Sequence, residues 1–274
     1  MGDSGQNRTH RWKEEAAFFD HWAGLARASV APVDVLTLER YSRTPLRLRF
    51  NKEFRFHVMG NLRGKRLLDV GCGDGRNAVL LARLGAQVEG IDISPGAIEL
   101  ARERALVNGV ADSAHFTCSP LEIAEFVPDS YDVIWGDAIL HHLIPELEMV
   151  LGKLTSWAKP GSLIVFAEPI NLNQTLRRFR QALPVHTEAT PGERPLEAAE
   201  INLLRRYIPD LVLRPFSFMS RFDRFVIKDH NFEASSLSRR LFATVTASLD
   251  YMLLSLPLSR NLAGQGVIYG HPKK

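Results

Sequence analysis

Cysteine is nearly missing from this chain: Cys72 and Cys118 are the only two in 274 residues. Two thiols cannot build the disulfide framework of a small secreted domain, so a reducing, cytoplasmic setting is the expectation. Cysteine and histidine nowhere recur at metal-ligand spacing, and no metal is expected. No run of about 18 apolar residues is free of charges and breakers, so no integral membrane segment is expected either. Met1–Lys13 is polar and lacks the apolar stretch of a signal sequence, which makes export unexpected. Internal repeats and low-complexity segments are also missing. What is present, 45% hydrophobic and 24% charged residues, is ordinary for a soluble globular protein. The length suffices to bury a full core, most simply as one domain with additions.

Net charge is small, +3, but it is unevenly placed. Leu67–Ile170 holds 6 basic and 15 acidic residues, Asp34–Arg66 holds 9 and 3, and Asn171–Arg240 holds 12 and 8. An acidic centre suits a cationic ligand. The basic flanks either attract an anionic substrate or a membrane surface, or are solvated arginines on exposed helix faces.

The acidic centre opens on the most informative pattern in the chain. An apolar run (Leu67, Leu68, Val70) leads into glycines at 71, 73 and 75, then an amphipathic stretch that closes on Gly85. A second apolar run, Val88–Ile91, ends in Asp92. Strand, glycine loop, helix and a second strand closed by an acid make a nucleoside-binding unit: glycines admit the ligand to the backbone, and the acid can bond ribose hydroxyls. The spacing G-x-G-x-G differs from the G-x-G-x-x-G of dinucleotide folds. Asp69 and Asp74 beside the loop would repel a pyrophosphate and suit a cation.

The run Asp69-Val70-Gly71-Cys72-Gly73-Asp74-Gly75 closely resembles motif I of the class I S-adenosylmethionine-dependent methyltransferases. Gly90–Ser94 resembles their motif II, and Leu140-His141-His142-Leu143 resembles a signature of small-molecule members, the ubiquinone/menaquinone-methyltransferase-like branch. The resemblance implies an α/β, Rossmann-like, seven-stranded, mostly parallel sheet with helices on both faces, an antiparallel last strand and a helical cap. It also implies S-adenosyl-L-methionine as cofactor, whose sulfonium and ammonium fit the acidic surroundings.

Along the chain, residues 1–65 read as an N-terminal helical lid, 66–170 as the cofactor-binding core, and 171–274 as a cap insertion with the C-terminal part of the same domain. Phe18, Phe19, Trp22 and Leu25 mark an amphipathic helix packed over the core. Helix pieces follow to Leu62, broken near Pro45. Strands are predicted near 66–70, 87–92, 115–118, 131–135 and 162–167, alternating with helices, which means a parallel sheet covered on both faces. Ser94 and Pro95 start one helix, and Asn108-Gly109 end it. Beyond Glu168 come a basic helix over 171–183, a proline- and glycine-bearing loop, and a helix over 196–207. The strands 211–219 and 266–269 would fill the last places of the family's sheet. Leu249, Met252, Leu253 and Leu256 have the spacing of one buried helix face.

The expected cofactor contacts follow. Gly71, Cys72, Gly73 and Gly75 line the methionine and ribose, although Cys72 is as readily a small packed residue. Asp69 attracts the ammonium and Asp92 accepts the ribose hydroxyls, or both fix the loop as caps. Ile93 packs on adenine. Pro120 stands where many relatives carry an acid for the adenine amine, so Leu121 and Glu122 are left to meet the ring. Asp137 and His141 are placed near the methyl, with His141 as base or as pocket wall. His186 in the cap loop is a second base candidate, and Glu188 and Arg194 lie beside it. Phe179, Phe216, Phe218, Phe222 and Phe225 could form an apolar pocket or ordinary core.

The reading is methyl transfer to oxygen, nitrogen or carbon of a small aromatic, quinone-like or lipid-like acceptor, with a homodimer possible. The alternatives are RNA or protein methylation, and a protein of this fold that binds the cofactor without transferring methyl. Gly136-Asp137-Ala138-Ile139 in place of an N-P-P-Y or D-P-P-Y turn counts against base methylation, so no nucleic acid partner is expected. A metal-dependent catechol-type site is disfavoured, because no Asp and Asn cluster follows the fourth strand.

Overall fold

A computed structural model describes residues 3–173, 193–227 and 232–274. The chain opens with α1 (Asp3–Ala26), α2 (Val35–Ser42) and α3 (Asn51–Met59). The core then alternates: β1 (Arg66–Val70), α4 (Arg76–Arg83), β2 (Gln87–Asp92), α5 (Pro95–Val107), β3 (Ala114–Cys118), β4 (Tyr131–Asp137), α6 (Leu147–Trp157) and β5 (Ala158–Pro169). After the cap segment come α7 (Ala198–Tyr207), β6 (Val212–Phe216), the single turn α8 (Asp223–Val226), α9 (Leu237–Leu253) and β7 (Gln265–Gly270).

The described strands form one seven-stranded sheet in the order β3-β2-β1-β4-β5-β7-β6. Pairing is parallel from β3 to β5, and β7 runs antiparallel to both β5 and β6. The expected fold class is therefore what the chain adopts. Strand alternation divides the core by face. Leu67, Val133, Trp135, Val165 and Val267 meet α3, α4 and α5, while Leu68, Val70, Ile134, Ile164, Phe166 and Ile268 meet α6 and α7. Burying both faces explains why β1 and β4 read as continuous apolar runs. The strand order reverses between β1 and β4, and that switch point opens the crevice where α/β sheets bind ligands.

Local chemistry sets the element ends. Ser94 accepts from the Ala97 N–H at 2.9 Å and so caps α5, with Pro95 in its first turn. Gly75 has φ of 76° and turns the loop into α4, and Gly85 at φ 99° ends that helix.

Two expectations need correction. α1 buries Glu15 and Ala23, whereas Trp22 and Leu25 are exposed, because the face turned to α5 is the one carrying Ala23, which packs on Ala97 and Leu100. α9 turns Ala243, Thr246, Ala247 and Asp250 inward, leaving Leu249, Met252 and Leu256 exposed. The reason is Asp250, whose carboxylate accepts the backbone N–H of Phe218, Met219 and Ser220. Satisfying that loop outweighs burying a leucine stripe. The helical stretch to Leu62 is broken near Pro45 as expected, into two helices joined by a 3-10 turn over Thr44–Arg47. The predicted helix over 171–183 falls largely outside the described residues. No described helix is long and apolar enough to cross a membrane.

Candidate active site

A cavity of about 410 Å³ lies at the switch point, within the roughly 300–1,000 Å³ range of small-molecule sites. Its floor is Gly71, Gly73, Asp92 and Ile93, its far wall Pro120, Leu121 and Glu122, and its near wall Asp137, Ile139, His141 and His142. Glu15, Phe18 and Phe19 of α1 cover it, and Glu193 closes it from the cap side.

The loop is built by the acid that closes β2. The Asp92 carboxylate accepts the Gly73 N–H at 2.8 Å and the Ser94 N–H at 2.9 Å, one on each oxygen. Each oxygen keeps further acceptor capacity toward the cavity. Burial raises the Asp92 pKa, and the bonds from Ser94 and Gly73 oppose that rise. At Gly73 (φ 51°) an added Cβ would meet nothing within 4 Å, so the room beside it is open to a ligand. Gly71 is glycine for a different reason: a Cβ there would come within 2.7 Å of the Ile139 side chain.

Several predicted cofactor residues stand elsewhere. Asp69 is 1% exposed beneath the loop and does not line the cavity. Burial first, then the Asp137 and Asp92 charges, pushes its pKa well above the ordinary carboxylate range. Cys72 is buried with its Sγ beside Gly90, and burial raises its thiol. Gly75 packs against Ala101 of α5. Asp74, read as a cation-attracting charge, is spent on Arg76 and Arg104, each 2.9 Å from its Oδ2. Glu122 does reach the cavity, but its Oε1 accepts from Arg11 at 2.5 Å and from the Trp12 indole at 2.9 Å. It ties α1 down.

The loop after β4 is held by a residue that the sequence reading passed over. Ala138 takes the left-handed φ of 59°, uncommon for a residue with a Cβ, and turns the next three N–H groups toward β5. The buried Glu168 carboxylate accepts from Ile139 at 2.9 Å, Leu140 at 2.8 Å and His141 at 3.3 Å. Its Oε2 lies 2.9 Å from His141 Nδ1. A carboxylate accepting three N–H bonds makes Nδ1 the donor, so that in the neutral tautomer Nε2 carries the lone pair. A glutamate at the end of a buried strand was the available signal.

Asp137 meets Arg55 Nη2 at 3.0 Å and Asn77 Nδ2 at 3.1 Å. Burial works against its charge, but Arg55, Lys52 and Asn77 together outweigh burial and lower its pKa. His142 sits with Nδ1 3.0 Å from Glu193 Oε1. Burial, with His141 alongside, pushes His142 down to about 4 against the pull of Glu193. Ligand atoms of His141, His142 and Glu193 lie within 4.8 Å of one another.

The cap contributes less than expected among the described residues. His186, Glu188 and Phe179 lie outside them. Arg194 pairs with Glu200 at 2.7 Å instead of facing the cavity. Phe216 is core, Phe218 packs against the core, and Phe222 and Phe225 are exposed. The aromatic wall comes from α1 (Phe18, Phe19).

Sheet order, glycine loop, an acid closing the second strand and a cavity over the switch point define a methyltransferase-type fold. A family model described as "Methyltransferase domain" matches residues 61–199, just over half of the chain, and the chain belongs to that family. It is similar to the ubiquinone biosynthesis O-methyltransferase of Paracidovorax citrulli, 30% identical over 192 residues, covering 70% of this chain and 76% of the relative. The protein of the same name from Bordetella bronchiseptica is 36% identical over 140 residues, 51% of this chain and 54% of its own length. In that match and those like it the chain spans about half the length of its relatives. Its fold resembles geranyl diphosphate C-methyltransferase from Streptomyces coelicolor A3(2), with a TM-score of 0.53, 14% identity and 89% of each chain covered.

Proposed function

We propose that this chain transfers a methyl group from S-adenosylmethionine to a hydroxyl of a small aromatic or quinone-like molecule. The observation that carries the reading is one cavity bordered both by the Gly71–Gly73 loop with Asp92 and by the His141–Glu168 pair. The residues fit this cofactor: an open cradle at Gly73, free acceptor capacity on Asp92, apolar walls at Ile93 and Leu121, and carboxylates for a cationic ligand. When bound, S-adenosylmethionine supplies a methyl group already activated by the sulfonium. Asp92 would hold the ribose hydroxyls, Ile93 and Leu121 would enclose the adenine, and Asp137 would face the ammonium.

The remaining work falls to the chain. α1 excludes water, and the cavity walls orient the acceptor, an effect worth about 7–11 kcal/mol of barrier in well-aligned reactions. His141 Nε2 takes the hydroxyl proton, and Glu168 stabilises the resulting imidazolium through Nδ1. The names of the relatives support an oxygen acceptor. A second reading rests on His141, His142 and Glu193 holding a divalent cation that polarises the hydroxyl instead. Incubating the chain with S-adenosylmethionine and a panel of phenols, with and without a chelator, separates the two. S-adenosylhomocysteine and methylated phenol forming undiminished in chelator support His141 as base. A cofactor that binds and is never consumed sinks methyl transfer.

A further inference from the structure

α9 is an amphipathic helix turned outside in. Its small and polar residues Ala243, Thr246, Ala247 and Asp250 face the protein, while Leu237, Leu241, Val245, Leu249 and Met252 are exposed. These five recur every three or four positions, so they form one outward stripe along a helix of 17 residues, about 26 Å long at helical rise. Apolar exposure continues beside it. α8 packs against α9, its Asp223 accepting the Thr246 hydroxyl at 2.8 Å, and Phe222 and Phe225 there are 60% and 70% exposed. In the turn after α9, Leu258 is 98% exposed. A folded chain seldom presents so long an apolar strip to water without a partner.

The charges around the strip select the partner. Among the described residues of 219–262 the acids are Asp223, Glu233 and Asp250, and the fold takes up all three. Asp223 holds Thr246, Asp250 accepts the N–H groups after β6, and Glu233 pairs with Arg40, Arg47 and Arg240. The exposed charges in the same stretch are Arg221, Arg239 and Arg260. Arg239 stands near one end of the strip and Arg260 past the other, and neither meets a carboxylate among the described residues. A two-fold pairing of this face with a second copy would bring arginines to an interface with no exposed acid on either side. An anionic lipid surface answers both features, with headgroups for the arginines and acyl chains for the leucines. The strip also belongs to the cavity end of the sheet. Gln265 pairs with both Phe216 and Pro169, the last residues of β6 and β5, so residues 217–264 leave and rejoin the sheet at that end.

We propose that this face docks on an anionic bilayer, with α9 lying along the headgroups, its stripe reaching the acyl boundary, and Arg239 and Arg260 on lipid phosphates. No described helix is long and apolar enough to cross a membrane, so α9 rests on the bilayer and does not span it. The inference goes beyond the methyl-transfer reading and does not need it.

The test floats the full chain on vesicles of equal phosphatidylglycerol and phosphatidylcholine, and on vesicles of phosphatidylcholine alone. Wild type should bind the anionic vesicles at least about tenfold more tightly, and added salt should erase the difference. Leu241→Asp with Met252→Asp should weaken binding to the anionic vesicles at least about tenfold. Arg239→Gln with Arg260→Gln removes no apolar side chain and should bring the two vesicle types together. Circular dichroism and S-adenosylmethionine affinity are read on every variant. Both should match wild type, because these side chains are exposed and lie outside the cavity wall, so misfolding cannot pass for lost docking. Wild type that binds both vesicle types equally, or neither, overturns the proposal. So do apolar variants that bind anionic vesicles as wild type does. A wild-type dimer that binds no vesicle, and that Leu241→Asp with Met252→Asp splits in sedimentation, overturns it and gives the face to a second copy. Selective vesicle binding without methyl transfer to any phenol supports the face and sinks only the methyl-transfer reading.

Discussion

His141 owes its orientation to Glu168. The glutamate holds three backbone N–H groups of the loop after β4 and the imidazole Nδ1, so one buried side chain shapes the loop and selects the tautomer. Replacing His141 by Ala should lower turnover by ~10²–10⁴-fold, the usual worth of a general base, with cofactor affinity essentially unchanged. Steady-state rates and calorimetric titration check the two halves. The loop glycines separate in the same way. Gly75→Ala meets Ala101 Cβ at 2.7 Å and its Cα at 2.9 Å besides adopting φ of 76°, whereas Gly73→Ala has only its φ of 51° to bear. In urea unfolding the first should cost several kcal/mol and the second about 1 kcal/mol. That Gly71, Gly73 and His141 would come to one cavity was legible because motif spacing reports it. Glu168, Glu193 and Arg55 were not, because nothing in their neighbourhoods marks which side chain a tertiary contact will claim.

At the scale of elements, α1 covers one side of the cavity, and it is secured by polar contacts. Asp20 accepts from Ser94 Oγ at 2.5 Å and from the Gly96 N–H at 2.8 Å, and so sits on the N-terminus of α5. Arg11 reaches both Glu122 and Glu146. Glu15 lies between α1 and the cavity, with its pKa raised from 4.5 to about 7 by burial, against Arg11 and together with Glu122 and Glu193. The folded chain therefore holds a proton that the unfolded chain has released between those values. The stability this contributes is full below about 4.5 and is lost as pH rises through 7. From pH 5 to pH 8 the thermal midpoint of wild type should fall by a few degrees more than that of Glu15→Gln, measured by circular dichroism. The helix was foreseen from its aromatic residues, but not which face it buries. Amphipathic spacing gives a stripe, while Ala97 and Leu100 decide what fits against it.

Over the whole molecule, the sheet and its two apolar faces make a core that does not depend on the lid. Deleting residues 1–29 should leave the far-ultraviolet spectrum of the remaining sheet and helices largely intact. Cofactor affinity should fall by more than about tenfold, since Glu15, Phe18 and Phe19 leave the cavity wall. A deletion that unfolds the chain outright would contradict a self-sufficient core. The acidic centre and basic flanks also take on a sharper meaning. Much of the acidity is spent inside the fold, as with Asp74 on its arginines and Asp69 under the loop. Part of the basic flank, Lys52 and Arg55, enters the site.

The sequence by itself determined the sheet, the cofactor loop and the class of chemistry. These depend on short-range spacing: apolar runs that bury a strand on both faces, glycines that turn it, and an acid one strand away. Only the tertiary structure decided which acids are paired or buried and which line the cavity. It also decided that α9 turns Asp250 inward, and that α3 brings Arg55 to Asp137 across 82 positions of chain. Those outcomes follow from burial and pairing between distant elements, where the several hydrogen bonds of one carboxylate outweigh the local hydrophobic pattern.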